Sequence, residues 1–208
     1  KTPILVGGTG LYFKALTDGL VSFPKIPLQF RKKIRNLHKK LGPKNFFLRL
    51  IKEDPLAQNH IIPSDSQRAI RAFEVKLFTK KSMYEWFKNT KSDYEKEDFY
   101  RIYSDFPRNE LLIRISNRTK QMIKNGAINE VRKFLKLNVS KEKSVNKAIG
   151  IQEIKDFLNK KIEIEDVIEK ISIKTRQYAK RQSTWGRGNM SNWNKINPNG
   201  LEKFLKKI

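Results

Sequence analysis

Cysteine is absent from this 208-residue sequence, which excludes disulfides and thiolate metal sites. The two histidines, His38 and His60, lie far apart and suggest no metal pair. No apolar run approaches the roughly 20 residues a bilayer-spanning helix needs, and no signal peptide is recognisable. The expectation is a soluble, cytoplasmic protein with no membrane partner. No Gly-x-x-x-x-Gly-Lys-Ser/Thr phosphate loop occurs, no Ser/His/Asp set is recognisable, and no close carboxylate pair offers an acid/base couple. Internal repeats are lacking as well. Acidic residues are scarce, with 21 Asp and Glu against 45 Lys and Arg, a net charge of +24. Such an excess favours a polyanionic partner, although part of it can reflect a Lys-, Asn- and Ile-heavy composition.

What is present begins with Pro3-Ile4-Leu5-Val6-Gly7-Gly8-Thr9-Gly10-Leu11-Tyr12. Residues 3–6 predict a short buried strand, the glycines a turn, and Leu11, Ala15 and Leu16 a helix. A glycine turn between strand and helix lets backbone approach a ligand, but it also serves as a plain tight turn. A strand at the very start of a chain with few other strand candidates predicts sheet partners upstream. This chain is therefore expected to be part of a larger protein.

Phe23-Pro24-Lys25-Ile26-Pro27 breaks the chain. Phe30, Ile34, Leu37 and Leu41 then trace one helix stripe among basic residues, closed by Gly42-Pro43. Residues 46–51 predict a further short helix, stopped by Asp54-Pro55. Asp65 or Ser66 is a candidate N-cap for the next helix, with Ile70, Phe73 and Leu77 inward. Gln67 and Arg68 fall in its first turn and Arg71 one turn on. Arginine there opposes the helix dipole, so it points either to an anionic partner or neighbouring carboxylates, or to a solvated basic face. Residues 25–98 thus predict an all-helical insertion between strand-bearing parts, residues 1–24 and 99–208.

Residues 99–106 are aromatic-rich and predict a strand. A long helix follows from Asn109, with Leu111, Ile115 and Met122 inward and Arg114 and Arg118 four apart on one face. Two planar guanidinium groups on one face suit a diphosphate, or pair with acids elsewhere. Gly126 interrupts that helix, and Ile128, Val131 and Leu135 continue a second segment. Gly150, between apolar residues, suggests close backbone packing or approach to a ligand. A helix over roughly residues 163–184 is acidic at its start and basic at its end. Arg176, Lys180 and Arg181 cluster there with Gln177, Gln182 and Trp185, a set suited to RNA phosphates and bases. Trp193, Leu201, Phe204 and Leu205 predict a docked terminal helix.

Four segments resemble the bacterial tRNA dimethylallyltransferase (tRNA isopentenyltransferase) family. They are Ile4-Leu5-Val6-Gly7-Gly8-Thr9-Gly10-Leu11-Tyr12 with Lys14-Ala15-Leu16; Asp65-Ser66-Gln67-Arg68-Ala69-Ile70-Arg71-Ala72-Phe73-Glu74-Val75; Ala148-Ile149-Gly150; and Thr175-Arg176-Gln177-Tyr178-Ala179-Lys180-Arg181-Gln182 with Thr184-Trp185. They follow the family's order and spacing along essentially the whole chain. The resemblance implies an α/β fold, predominantly helical in this chain: an incomplete P-loop NTPase-like core with an inserted all-helical tRNA-binding domain. It implies transfer of a dimethylallyl group from dimethylallyl diphosphate to N6 of the adenosine 3′ of the anticodon, in tRNAs reading codons that start with U. The base would be flipped from its stack. Implied partners are the tRNA anticodon stem-loop and dimethylallyl diphosphate, with Mg2+ as cofactor and a monomeric state.

By the same resemblance Thr9, Arg31, Gln67, Arg68, Ala69, Ile70, Arg71, Lys147, Ala148, Ile149, Gly150, Ile151 and Gln152 match tRNA-contacting positions. Arg118 matches a diphosphate-facing arginine, with Arg114 beside it. The family's phosphate loop and general-base Asp lie upstream of the matching strand. No residue of this chain is a candidate catalytic base or metal ligand, and the chain alone is expected to bind tRNA weakly without prenylating it. The sequence departs from the family pattern at Lys147, usually Arg, at Ile151-Gln152, usually an aromatic then a basic residue, and at Gly186, usually bulky. The alternative reading is a non-catalytic basic RNA-binding module. A nucleotide kinase of the P-loop group is a third, but it would need neither residues 67–71 nor the cluster over residues 176–185.

Overall fold

A computed structural model describes residues 3–140 and 142–206. The chain is mostly helical and divides into two compact units, one formed by Leu11–Phe99 and the other by Lys1–Gly10 with Tyr100–Ile208. The expected 25–98 helical segment lies within the first, which also takes in residues 11–24.

Helix α1 (Gly10–Thr17) starts directly after Thr9. Helix α2 (Leu28–Glu53) is kinked at Gly42, whose φ of 72° and ψ of 167° are non-helical. The expected stop at Gly42-Pro43 therefore appears as a break between two abutting helices. Pro43 has no N–H to donate and bars its predecessor from the helical region, and only glycine takes up the required φ cheaply. Helix α3 (Ser66–Thr79) is capped by Asp65, whose Oδ1 accepts from the Arg68 N–H at 3.1 Å. Helix α4 (Met83–Phe87) starts with a capping box from Ser82 and Glu85.

The core of this unit joins α2 to α3. Phe46, Leu50, Ala57, Ala72, Phe73 and Val75 are almost fully buried. Phe46 meets Phe73 edge-on at 5.1 Å, and His38 lies edge-on to Phe46 at 4.9 Å. The buried Asp54 carboxylate accepts from the Ser82 hydroxyl at 2.9 Å, which ties the end of α2 to the start of α4.

In the other unit the expected strand over residues 99–106 shortens to β1 (Ile102–Ser104). Helices α5 (Arg108–Lys124) and α6 (Ala127–Lys136) follow, separated at Gly126 with φ 104°. Then come α7 (Ile151–Leu158) and the long α8 (Ile164–Asn189). Strand β2 (Asn194–Ile196) pairs parallel to β1 with Tyr103 opposite Lys195. Nothing in its polar sequence announced it. Helix α9 (Leu201–Leu205) matches the expected terminal helix, and Phe204 of α9 lies 6.0 Å from Tyr100; the side chain of Leu205 lies outside the described residues. Ala127, Val131, Ile154, Val167 and Ile171 form the core joining α6, α7 and α8.

The expected buried strand over residues 3–6 is corrected. These residues form no strand, and Ile4, Leu5 and Val6 are exposed, Val6 at 92%. An apolar run states only that a segment favours burial; a strand forms when a neighbour accepts its backbone hydrogen bonds. Among the described residues, no helix is long and apolar enough to cross a membrane.

Candidate nucleic-acid interface

In the Leu11–Phe99 unit the basic residues of α2 and α3 converge on one carboxylate. Glu74 sits at the α2–α3 contact with 1% of its side chain exposed. Its Oε2 accepts from Arg31 Nε at 3.2 Å and from Arg71 Nη1 at 3.3 Å. Arg35 Nε lies 3.9 Å from Oε1. The Arg71 guanidinium also stacks over the Phe23 ring at 5.0 Å. Of the five expected residues on α3, Ala69 is buried in the core and Ile70 half-buried, so their side chains support the helix. Gln67, Arg68 and Arg71 instead line an open recess of about 460 Å³ with His60, Tyr84 and Phe87. His60 stacks on Tyr84 at 4.1 Å. Burial pushes the Tyr84 phenol above its usual pKa, and the Arg68 charge offsets only part of that. The ring therefore remains a neutral hydrogen-bond donor at neutral pH. Sequence reasoning singled out neither His60 nor Tyr84, because their stacking depends on α4 folding back onto the turn before α3.

In the other unit the first and last of the four marked segments touch. The Gln182 side-chain amide of α8 donates to the Gly8 carbonyl at 3.0 Å, across 174 residues of sequence. A methyl group added at Gly10 would overlap the Trp185 ring, and one added at Gly8 would overlap the Gln182 amide. Gly10 is thus required by the close approach of the ring, whereas a side chain at Gly8 would displace the flexible Gln182 amide and break its hydrogen bond. Exposed Thr9 is thereby held at the basic end of α8. Gly186, a departure from the family pattern, has a packing reason: a Cβ there would lie 2.7 Å from the Tyr103 ring of β1.

Lys180 and Arg181 are exposed, and Arg181 lies over the Tyr178 ring at 5.6 Å. Arg176 is exposed as well and lines a groove between α5 and α8 with Ser116, Lys120, Glu165, Glu169 and Ser172. Arg114 stacks over Phe106 at 4.6 Å, while Arg118 is exposed one turn on.

Residues 147–152 form the turn into α7. Lys147, Ala148, Ile149 and Gln152 are exposed, whereas Gly150 is buried and Ile151 half-buried. Gly150 has φ 107°, and its N–H donates to Glu153 Oε2 at 2.9 Å. Glu153 is also paired with Lys174 of α8. Burial raises the Glu153 pKa, but the Lys174 hydrogen bond and the backbone N–H donors outweigh it, and the net shift is downward. A depressed folded-state pKa contributes stability above the ordinary carboxylate value, lost as pH falls through the folded one. Glu153→Gln is therefore expected to lower the melting temperature at pH 7, with the gap from wild type closing as pH falls below about 4.5. A gap that is unchanged at acid pH would show that the charge contributes nothing.

Among the described residues, no three His, Asp or Glu side chains converge in a way that could hold a metal ion.

Comparison with known proteins bears on this arrangement. The family profile described as IPP transferase matches residues 1–189. The tRNA dimethylallyltransferase of Pelagibacter ubique is 50% identical over 208 residues, which cover all of this chain and 66% of that protein. The tRNA dimethylallyltransferase of Agrobacterium fabrum is 38% identical over 202 residues, 95% of this chain and 67% of that protein. This chain therefore spans about two thirds of the length of these relatives. A crystallographic structure of a eukaryotic dimethylallyltransferase acting on tRNA superposes with a TM-score of 0.66 at 26% identity, covering 86% of this chain and 46% of that one. The tRNA isopentenylpyrophosphate transferase of Bacillus halodurans gives 0.51 at 27% identity, with coverages of 91% and 57%.

Proposed function

Because this chain belongs to the IPP transferase family, we propose that it supplies the RNA-holding and diphosphate-facing parts of a tRNA dimethylallyltransferase. In that reaction N6 of the adenosine 3′ of the anticodon attacks C1 of the dimethylallyl group. The carbon–oxygen bond to the diphosphate breaks, and the amine proton leaves to a general base, which the family resemblance places upstream of the segment matching Ile4–Val6. The observation that carries the reading is the contact of Gly8 and Gly10 with Gln182 and Trp185, which unites the two most specific sequence segments.

Within this reading Thr9 offers a hydroxyl at the wall where the flipped base meets the donor. Arg31, Gln67, Arg68 and Arg71 take the stem-loop backbone and loop bases, with Lys147, Ala148, Ile149 and Gln152 contributing a second contact. Gly150 and Ile151 shape that second turn from within. Lys180 and Arg181 bind phosphate. Arg176, also exposed, joins them from the α5–α8 groove. Arg118 stabilises charge on the departing diphosphate, and Arg114 is its neighbour. A P-loop-like core, Mg2+ on the diphosphate, a cytoplasmic setting and a monomeric state belong to the same reading.

The test is binding of this chain to an anticodon stem-loop over a salt series, against an unstructured RNA of equal length. A preference for the stem-loop that persists as salt rises is expected. Equal affinities that vary only with salt would favour the basic RNA-binding module. Incubation with labelled dimethylallyl diphosphate and tRNA is expected to give no transfer by this chain alone. Measurable transfer would place the base within this chain.

A further inference from the structure

We propose that Glu74 is a positioning residue that builds an anion-binding arginine pair from below. The inference rests on the RNA-holding role given above to Arg31 and Arg71. Three guanidinium groups approach this one buried carboxylate, at 3.2 Å for Arg31, 3.3 Å for Arg71 and 3.9 Å for Arg35. A single structural ion pair needs one arginine. Here the charge is over-compensated, and the surplus is positive and faces outward. The Arg31 and Arg71 side chains keep 35% and 37% of their surface exposed, while Glu74 keeps 1%.

The geometry leaves donors free. Arg31 uses Nε and Arg71 uses Nη1 on the carboxylate. Five N–H donors on each guanidinium group mean that most still point elsewhere. Both arginines donate to the same oxygen, Oε2, which gathers their two guanidinium groups around one atom. Two like charges that close would otherwise repel and splay into solvent. Glu74 Oε1 makes no hydrogen bond, so the carboxylate is not saturated from within the core. Arg71 is further pinned by the Phe23 ring. Sequence places Arg31 and Glu74 43 residues apart, so the pair exists only once α2 packs on α3.

The two roles predict effects of opposite sign. Glu74→Gln and Glu74→Leu each raise the net positive charge by one. If Glu74 merely subtracts charge, RNA affinity rises. If it positions the arginines, affinity for the anticodon stem-loop falls about tenfold. The slope of log affinity against log salt also becomes shallower by about one to two. Affinity is read by fluorescence anisotropy at a temperature where circular dichroism shows each variant folded. Leu50→Val, in the same core, serves as a control for destabilisation alone. Unchanged or tighter binding by both Glu74 variants would overturn the proposal. So would an equal loss in Leu50→Val. If wild type shows no stem-loop preference, the functional reading fails, while the Glu74 comparison is still decided on whichever RNA binds.

Discussion

Arg31→Ala combined with Arg71→Ala is expected to weaken stem-loop binding at least tenfold and to lower the stability of the helical unit by about 3 kcal/mol. The two losses have different causes. Affinity falls because two charge-assisted contacts to phosphate are gone. Stability falls because Glu74, 1% exposed, is left with only the distant Arg35 at 3.9 Å, and a buried charge without a partner is costly. Adding Glu74→Leu separates them. The triple variant is expected to regain most of the stability, since an apolar side chain suits the α2–α3 contact, but none of the affinity. Denaturant unfolding and anisotropy measured side by side check this. Recovery of both together would mean that the arginines matter only through folding.

Phe46→Ala is expected to cost about 4 kcal/mol in the same unit. Phe46 is fully buried, meets Phe73 at 5.1 Å and His38 at 4.9 Å, and joins the two halves of the core across the Gly42 kink. Deleting the ring removes apolar burial and leaves a cavity that the edge-on neighbours cannot fill without leaving their positions. Hydrogen exchange of peptides from α2 and α3 is expected to accelerate by two orders of magnitude or more, with peptides from α6 to α8 serving as an internal reference. Protection unchanged in α2 and α3 would contradict this placement of the core.

Helix positions were legible because their causes are local. The stripe from Phe30 to Leu41, the Asp65 cap, the breaks at Gly42-Pro43 and Gly126, and the acidic-to-basic polarity of α8 all depend on residues within a turn or two of one another. The arginine at the start of α3 was legible as an oddity, since it opposed the dipole. Its ion-pair partner, Asp65, lies only three residues before it. Burial of Ala69 and exposure of Arg68 likewise follow from helical phase. Strand pairing lacked any such local cause. Residues 3–6 carried the apolar pattern of a strand without forming one, whereas Asn194–Ile196 formed one with no apolar pattern. Pairing is decided by the neighbour, and for β2 that neighbour is β1, more than 80 residues earlier by the register of Ile102 with Asn194.

The amino-acid sequence by itself determined most of the longer helices, the Asp65 cap, the breaks at Gly42-Pro43 and Gly126, the basic charge of +24 and the four segments that mark the family. Those properties are set by intrinsic propensity, capping and composition, which act over a few residues or over none. Only the tertiary structure decided that Glu74 gathers Arg31 and Arg71, that Gly8 and Gly10 meet Gln182 and Trp185, and that Gly186 makes room for Tyr103. Apart from Arg71 and Glu74, three residues apart on α3, each of these joins residues far apart in the chain. The carboxylate can be buried, and a glycine such as Gly10 is required, only where another element has already packed against it.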